Sequence, residues 1–218
     1  MRNWIRETLR EYRSLLLFLL LMTIFRSAIA DWNDVPTGSM KPTIVEGDRI
    51  LVNKLAYDLR VPFTHLSMIK RGDPARGEII IFDSAVSELR LVKRVIGVPG
   101  DVISMKDNVL TLNGKTLSYK RADTEKTPPG ALDLTEALNG IRYTIRTREG
   151  GPASSFGPLI VPPDHYFVLG DNRDSSADSR YIGFVPRHEI VGRSRSVVLS
   201  LDYENWYLPR AERFLHTL

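Results

Sequence analysis

The sequence predicts a mainly β fold, on three observations. Beyond residue 30 the apolar runs are short, at residues 50–52, 79–82, 91–96, 166–169 and 197–201. Each is bounded by glycine, proline or aspartate, and none extends over a helix-length amphipathic period. Asn113-Gly114, between VLTL and KTLSY, is a two-residue hairpin signal, because both turn positions need positive φ. The contrasting segment is N-terminal, where LLLFLLLMTIF fills residues 15–25.

That first element follows Arg2, Arg6, Arg10 and Arg13. Positive charge ahead of an apolar run keeps the start of the chain on the cytoplasmic side of a membrane and sends the rest across. Eleven apolar residues span only about 16 Å at ~1.5 Å per residue, against a hydrocarbon core of ~30 Å. A spanning helix must therefore recruit residues 12–30 and let Arg13 and Arg26 snorkel. The rival reading is a removable leader, since a basic start, a short apolar centre and Ala28-Ile29-Ala30 fit a small-x-small cleavage site. Arg26, between the run and that site, favours the anchor.

Next comes PTGSMKPT at residues 36–43, in which Ser39 stands between Gly38 and Met40 with a proline on either side. The prolines stiffen the backbone and Gly38 is its one free joint, so the hydroxyl is either presented to solvent or simply part of a turn. In RLVKRVIGVPGD, residues 90–101, strand alternation places Leu91, Lys93 and Val95 on one face and Val92, Arg94 and Ile96 on the other. An ammonium among aliphatics loses hydration, which favours the neutral amine, a base able to take a hydroxyl proton. The plainer alternative is an edge-strand lysine that guards against aggregation or snorkels to water.

Residues 121–163 change character. They are rich in proline, glycine and charge, show little strand pattern, and read as an irregular insertion. After them, GDNRDSSADSR at residues 170–180 gathers three aspartates, two arginines and three serines, enough for hydrogen-bonded turns and buried ion pairs along the wall of a site. A calcium loop fails on spacing, because Asp171, Asp174 and Asp178 do not follow the required order.

Composition removes several classes. With 43% hydrophobic and 26% charged residues in 218, the chain can bury a core and is not a disordered tail. A net charge of +4, from 30 Lys+Arg against 26 Asp+Glu, is too mild and scattered to argue for nucleic acid. No cysteine means no disulfide, thiolate metal site or cysteine nucleophile.

PTGSMKPTIVEGDRILVNK, RGEIIIF, RLVKRVIGVPGD and GDNRDSSADSRYIGFV, in this order after an N-terminal apolar run, resemble the bacterial type I signal peptidases. The resemblance implies a membrane-anchor helix followed by an antiparallel β catalytic domain with a smaller inserted β or irregular subdomain. The expected divisions are 1–30 for the cytoplasmic start and anchor, 31–101 and 163–218 for the catalytic domain, and 102–162 for the insertion. It implies a serine–lysine dyad of Ser39 as nucleophile and Lys93 as general base, with no cofactor and no metal. The oxyanion hole would be the Ser39 N–H and the Thr37 hydroxyl, where many relatives carry serine at position 37. Ser176 would hydrogen-bond and orient the Lys93 amine, while Asp178 and Arg180 would brace the site. Val35, Pro36, Met40, Ile44, Leu91 and Val92 would line shallow pockets for small side chains. The expected partners are exported preproteins with their signal peptides and the lipid bilayer, with the catalytic domain on the outer face of the cytoplasmic membrane.

Other readings use different residues. Self-cleaving repressors share the dyad but carry a DNA-binding domain in place of the apolar run. SMIK at residues 67–70 fits the S-x-x-K of penicillin-binding proteins without the S-D-N or K-T-G that should follow. His165 or His188 could serve a triad. An anchored β module that binds without cutting would function normally with Ser39 and Lys93 replaced. RGD at residues 71–73 reads as a turn.

Overall fold

The computed structural model describes residues 11–64, 66–122, 127–148 and 154–218. It opens with a helix, Arg13–Ala28, whose leucines and phenylalanines are exposed all round. Sixteen residues rise about 24 Å. Among the described residues no helix is long and apolar enough to cross a membrane, and Arg2, Arg6 and Arg10 lie outside them.

The helix runs straight into the sheet. Strand β1 (Ala30–Asp34) begins two residues after the helix ends and pairs antiparallel with β2 (Asp48–Asn53), Ala30 opposite Asn53. The expected leader cut after Ala30 would therefore fall inside a paired strand. Lys54 fastens the junction, its Nζ donating to Arg26 O at 2.7 Å and Ser27 O at 3.3 Å, two carbonyls of the last turn. Arg26 in turn pairs with Asp31 at 2.8 Å and lies 4.2 Å over the Trp32 ring.

The main sheet is antiparallel, in the order β1, β2, β16 (Ile190–Asp202), β5 (Ile79–Ser84), β6 (Leu89–Gly97), β14 (His165–Leu169) and β15 (Val185–Pro186). Ile79 and Ile81 sit in one cluster with Val35, Met40, Ile44, Ile50, Val52 and Val197. Ile80 and Phe82 sit in another with Tyr57, Val95, Tyr166, Val168 and Ile190. Both faces of β5 are covered, which is why IIIF is a continuous apolar run with no alternation. Each fully buried isoleucine contributes on the order of 2 kcal/mol.

The described strands between residues 102 and 160 build two smaller sheets. One orders β13 (Phe156–Ile160), β7 (Val102–Lys106), β8 (Val109–Leu112) and β9 (Lys115–Thr116); the other orders β10 (Ser118–Arg121), β11 (Ala131–Leu138) and β12 (Ile141–Arg148). Asn113 and Gly114 turn at φ 51 and 77, as the sequence predicts. The stretch expected to be irregular carries long strands among its described residues. β11 and β12 are eight residues each, joined by a second Asn-Gly turn at Asn139 and Gly140, φ 51 and 85. Their pattern is disguised because Asp133, Glu136 and Arg146, polar in the sequence, are buried in the fold. Ile96, Phe167 and Leu169 of the main sheet share one apolar cluster with Ile103, Leu110, Leu138 and Ile145 of the smaller sheets.

Candidate active site

Ser39 stands on a single 3-10 turn, Gly38–Met40, anchored by burial of Met40 next to it. The strand pairing sets Lys93 opposite Ile80, on the face of Phe82, Leu91 and Val95. The lysine is 2% exposed. Lys93 Nζ and Ser39 Oγ are hydrogen-bonded at 2.6 Å, across 54 residues of sequence. Burial pushes the Lys93 amine down to about 8, against the upward pull of the Asp178 and Asp171 carboxylates. About a tenth of such an amine is neutral at pH 7, some hundreds of times more than in a free lysine, and it is within reach of the proton it would take.

The turn that carries Ser39 is held from the GDN segment. The Asn172 N–H donates to Ser39 O at 3.1 Å and its Nδ2 to Gly38 O at 3.0 Å, so one residue grips two consecutive carbonyls. Gly170 is needed beside it, for a Cβ there would stand 2.4 Å from Ser39 O and 2.2 Å from Ser176 Oγ. The Gly170 N–H donates to Asp178 Oδ2 at 3.0 Å. Asp178, fully buried, receives Arg180 through Nε and a second nitrogen, each at 2.8 Å, and its Oδ1 accepts the Arg180 N–H at the start of the short helix Ser179–Ile182. A two-pronged pair of this kind fixes orientation as well as charge.

Thr37 and Ser39 flank one edge of the turn. Thr37 is extended and exposed, and its side chain makes no capping bond. The Ser39 N–H lies in the first turn of a 3-10 segment, where amides have no partner within the helix. Ser176 is brought to the site without the expected bond to Lys93: its Oγ is buried and has no hydrogen-bond partner. The six expected pocket residues divide. Val35, Met40 and Ile44 are 3%, 1% and 0% exposed in the core between β2, β5 and β16, so they form the floor behind the site and not an open wall. Pro36 is exposed and Leu91 and Val92 are half-buried, on opposite faces of β6.

A buried polar chain runs behind the Ser39–Lys93 pair that residue types alone did not assign. Arg94 donates to Asp171 at 2.8 and 2.6 Å, Thr43 Oγ1 to the same carboxylate at 2.5 Å, and the Arg94 guanidinium lies 3.9 Å over the Tyr143 ring. Tyr143 and Tyr119 donate to Glu136, which also receives Arg173 at 2.6 Å. Burial alone would raise the Glu136 carboxyl, but Arg173 and the tyrosine hydroxyls hold it below its ordinary value. The signal available was the polar density of residues 170–180 together with Arg94 one residue from Lys93. The rival nucleophile Ser67 and the rival triad base His165 are placed elsewhere. Ser67 bonds Asp58 at 2.9 Å on the exposed strand β4 (Ser67–Lys70), and His165 Nδ1 lies 2.8 Å from Pro163 O.

Residues 5–199 match the family model described as signal peptidase, peptidase S26. A "Signal peptidase I" of Pseudomonas fluorescens is 37% identical, over 84% of this chain and 69% of its own length. One from Pseudomonas aeruginosa is 35% identical over the same shares. "Signal peptidase I P" of Bacillus subtilis subsp. natto is 34% identical over 87% of this chain and 88% of its own length.

Proposed function

We propose, for a chain that belongs to the peptidase S26 signal peptidases, a specific chemistry: a membrane-bound serine endopeptidase with Ser39 as nucleophile and Lys93 as its base. The observation that carries this reading is the 2.6 Å contact between Ser39 Oγ and a buried amine titrating near 8. Neutral Lys93 takes the Ser39 proton as Oγ bonds to the scissile carbonyl carbon. Negative charge moves to the carbonyl oxygen, where the Ser39 N–H and Thr37 hydroxyl donate. Lys93, now an ammonium, returns the proton to the departing amine as the peptide bond breaks. Water then attacks the acyl-serine, with the amine again as base, and releases the carboxylate product. Desolvation, with no buried acid bonded to the base, tunes the proton transfer.

The substrate is the signal peptide of an exported preprotein, bound extended with small side chains at the first and third positions before the cut. Pro36, Leu91 and Val92 supply the reachable apolar wall, backed by Val35, Met40 and Ile44. The apolar surface of helix Arg13–Ala28 supports a single-pass anchor with its start in the cytoplasm and the catalytic sheets on the outer face, Arg13 and Arg26 reaching to the interfaces.

The test is cleavage of a preprotein in detergent by the full chain, Ser39→Ala and Lys93→Ala, matched for folding by circular dichroism. Each variant is expected to lose at least about 10³-fold in rate. A variant that keeps a tenth of the activity removes its residue from the mechanism.

A further inference from the structure

Away from the dyad, a cavity of about 680 Å³ opens where β12 meets β5, β16 and the last residues of the described chain, and neither Ser39 nor Lys93 lines it. Six arginines face it, Arg76, Arg94, Arg142, Arg193, Arg195 and Arg213, and Glu78 is the one acid among the lining residues. Behind the wall, Arg76 pairs with Asp101, Arg94 with Asp171 and Arg213 with Asp48, while Arg193 takes Glu78. Six guanidinium groups thus meet four carboxylates. Arg195 is left with a 3.7 Å approach to the already engaged Glu78, and Arg142 has no ion-pair partner among the described residues.

Two further groups at this wall are unsatisfied. Arg193 Nε and Ser194 Oγ are buried and have no hydrogen-bond partner. Nε can only donate, and an unmet buried donor is costly. An excess of two planar cations around a concave space, with donors to spare, suits a compact dianion, because guanidinium forks match phosphate oxygens in pairs. A carboxylate alone would neutralise only one of the two. Ile79, Ile141 and Tyr143 add apolar lining for the body that carries the charged group.

We infer that this cavity is a binding site for a phosphate-bearing ligand, separate from the peptidase dyad and independent of the chemistry assigned there. Such a group has two sources, a soluble phosphorylated molecule or the headgroup of an anionic phospholipid. The full chain in neutral detergent is titrated with inorganic pyrophosphate by calorimetry. In parallel, native mass spectra compare retention of phosphatidylglycerol with that of phosphatidylcholine. Both are repeated on Arg142→Gln/Arg195→Gln, two exposed positions outside the dyad whose replacement leaves preprotein cleavage intact.

A soluble ligand predicts saturable pyrophosphate binding that weakens about tenfold or more in the double variant. A lipid headgroup predicts selective phosphatidylglycerol retention, lost in the double variant, with or without pyrophosphate binding. Neither ligand bound up to about 10 mM, or binding equal in the two proteins, overturns the site. Replacing Ser194 by Ala supplies a check that leaves the net charge alone: it removes a hydroxyl from the wall and is expected to weaken binding about three- to tenfold.

Discussion

Replacing Lys93 by methionine should inactivate the protein and make it more stable. An amine that titrates near 8, where a free lysine titrates at 10.5, makes charging Lys93 in the folded chain cost about 3 kcal/mol, at ~1.4 kcal/mol per tenfold. The unfolded chain keeps the proton up to pH 10.5 and the folded chain only to about 8. The penalty is therefore complete below pH 8 and fades as pH rises through 10.5, leaving ~1 kcal/mol at pH 10. Methionine has similar bulk, no charge, and suits the aliphatic face beside Leu91 and Val95. It forfeits the bond to Ser39, worth about 1 kcal/mol, so the net gain at pH 7 is about 2 kcal/mol. For a domain of this size that raises the melting temperature by roughly 4–8 °C. Urea unfolding of both proteins in detergent, followed by tryptophan fluorescence at pH 7 and pH 10, measures the gain and its shrinkage. A variant less stable than the parent at pH 7, or a gain that does not shrink by pH 10, refutes the claim that burial tunes this amine.

The cleavage rate itself should climb about tenfold per pH unit below 8 and level off above it, as the neutral amine fills; a rate still climbing steeply at pH 10 would mean an unperturbed lysine. Gly170→Ala puts a carbon 2.4 Å from Ser39 O and should lower the cleavage rate about 10²-fold through a displaced nucleophile turn. Wild-type rates in that variant, with circular dichroism unchanged, would show the turn to be slack. Glu136→Gln strands the fully buried Arg173 guanidinium and should cost about 3–5 kcal/mol in denaturant unfolding; a loss below about 1 kcal/mol would show that the pair is not needed.

The parts of the fold set by local chemistry are legible in the sequence. IIIF, the LVKRVI alternation and the Asn113-Gly114 turn each correspond to a strand or turn where the pattern places it. Asn139-Gly140 carries the same turn signal, but the strands beside it bury charge against charge, and no apolar period announces such strands. The Ser39–Lys93 contact shows the same division. Desolvation of Lys93 follows from its neighbours along one strand, whereas its meeting with Ser39 depends on tertiary placement that only the match of several ordered motifs anticipates. The grip of Asn172 on two carbonyls is less visible still, because backbone acceptors have no residue type. Val35, Met40 and Ile44, pocket residues by the resemblance, lie buried behind the site, a depth that position along the chain does not announce.

The clasp of Lys54 on the last helical turn, with β1 starting two residues later, leaves no slack between the apolar rod and the main sheet. Were such a rod seated in lipid, as proposed, the hydroxyl of Ser39 would stay at one height above it. Peptide bonds offered at other heights would then escape, however good their side chains. On the proposed anchoring, the joint would work as a depth gauge, sorting substrates by how far their scissile bond stands from the bilayer before any pocket examines their sequence.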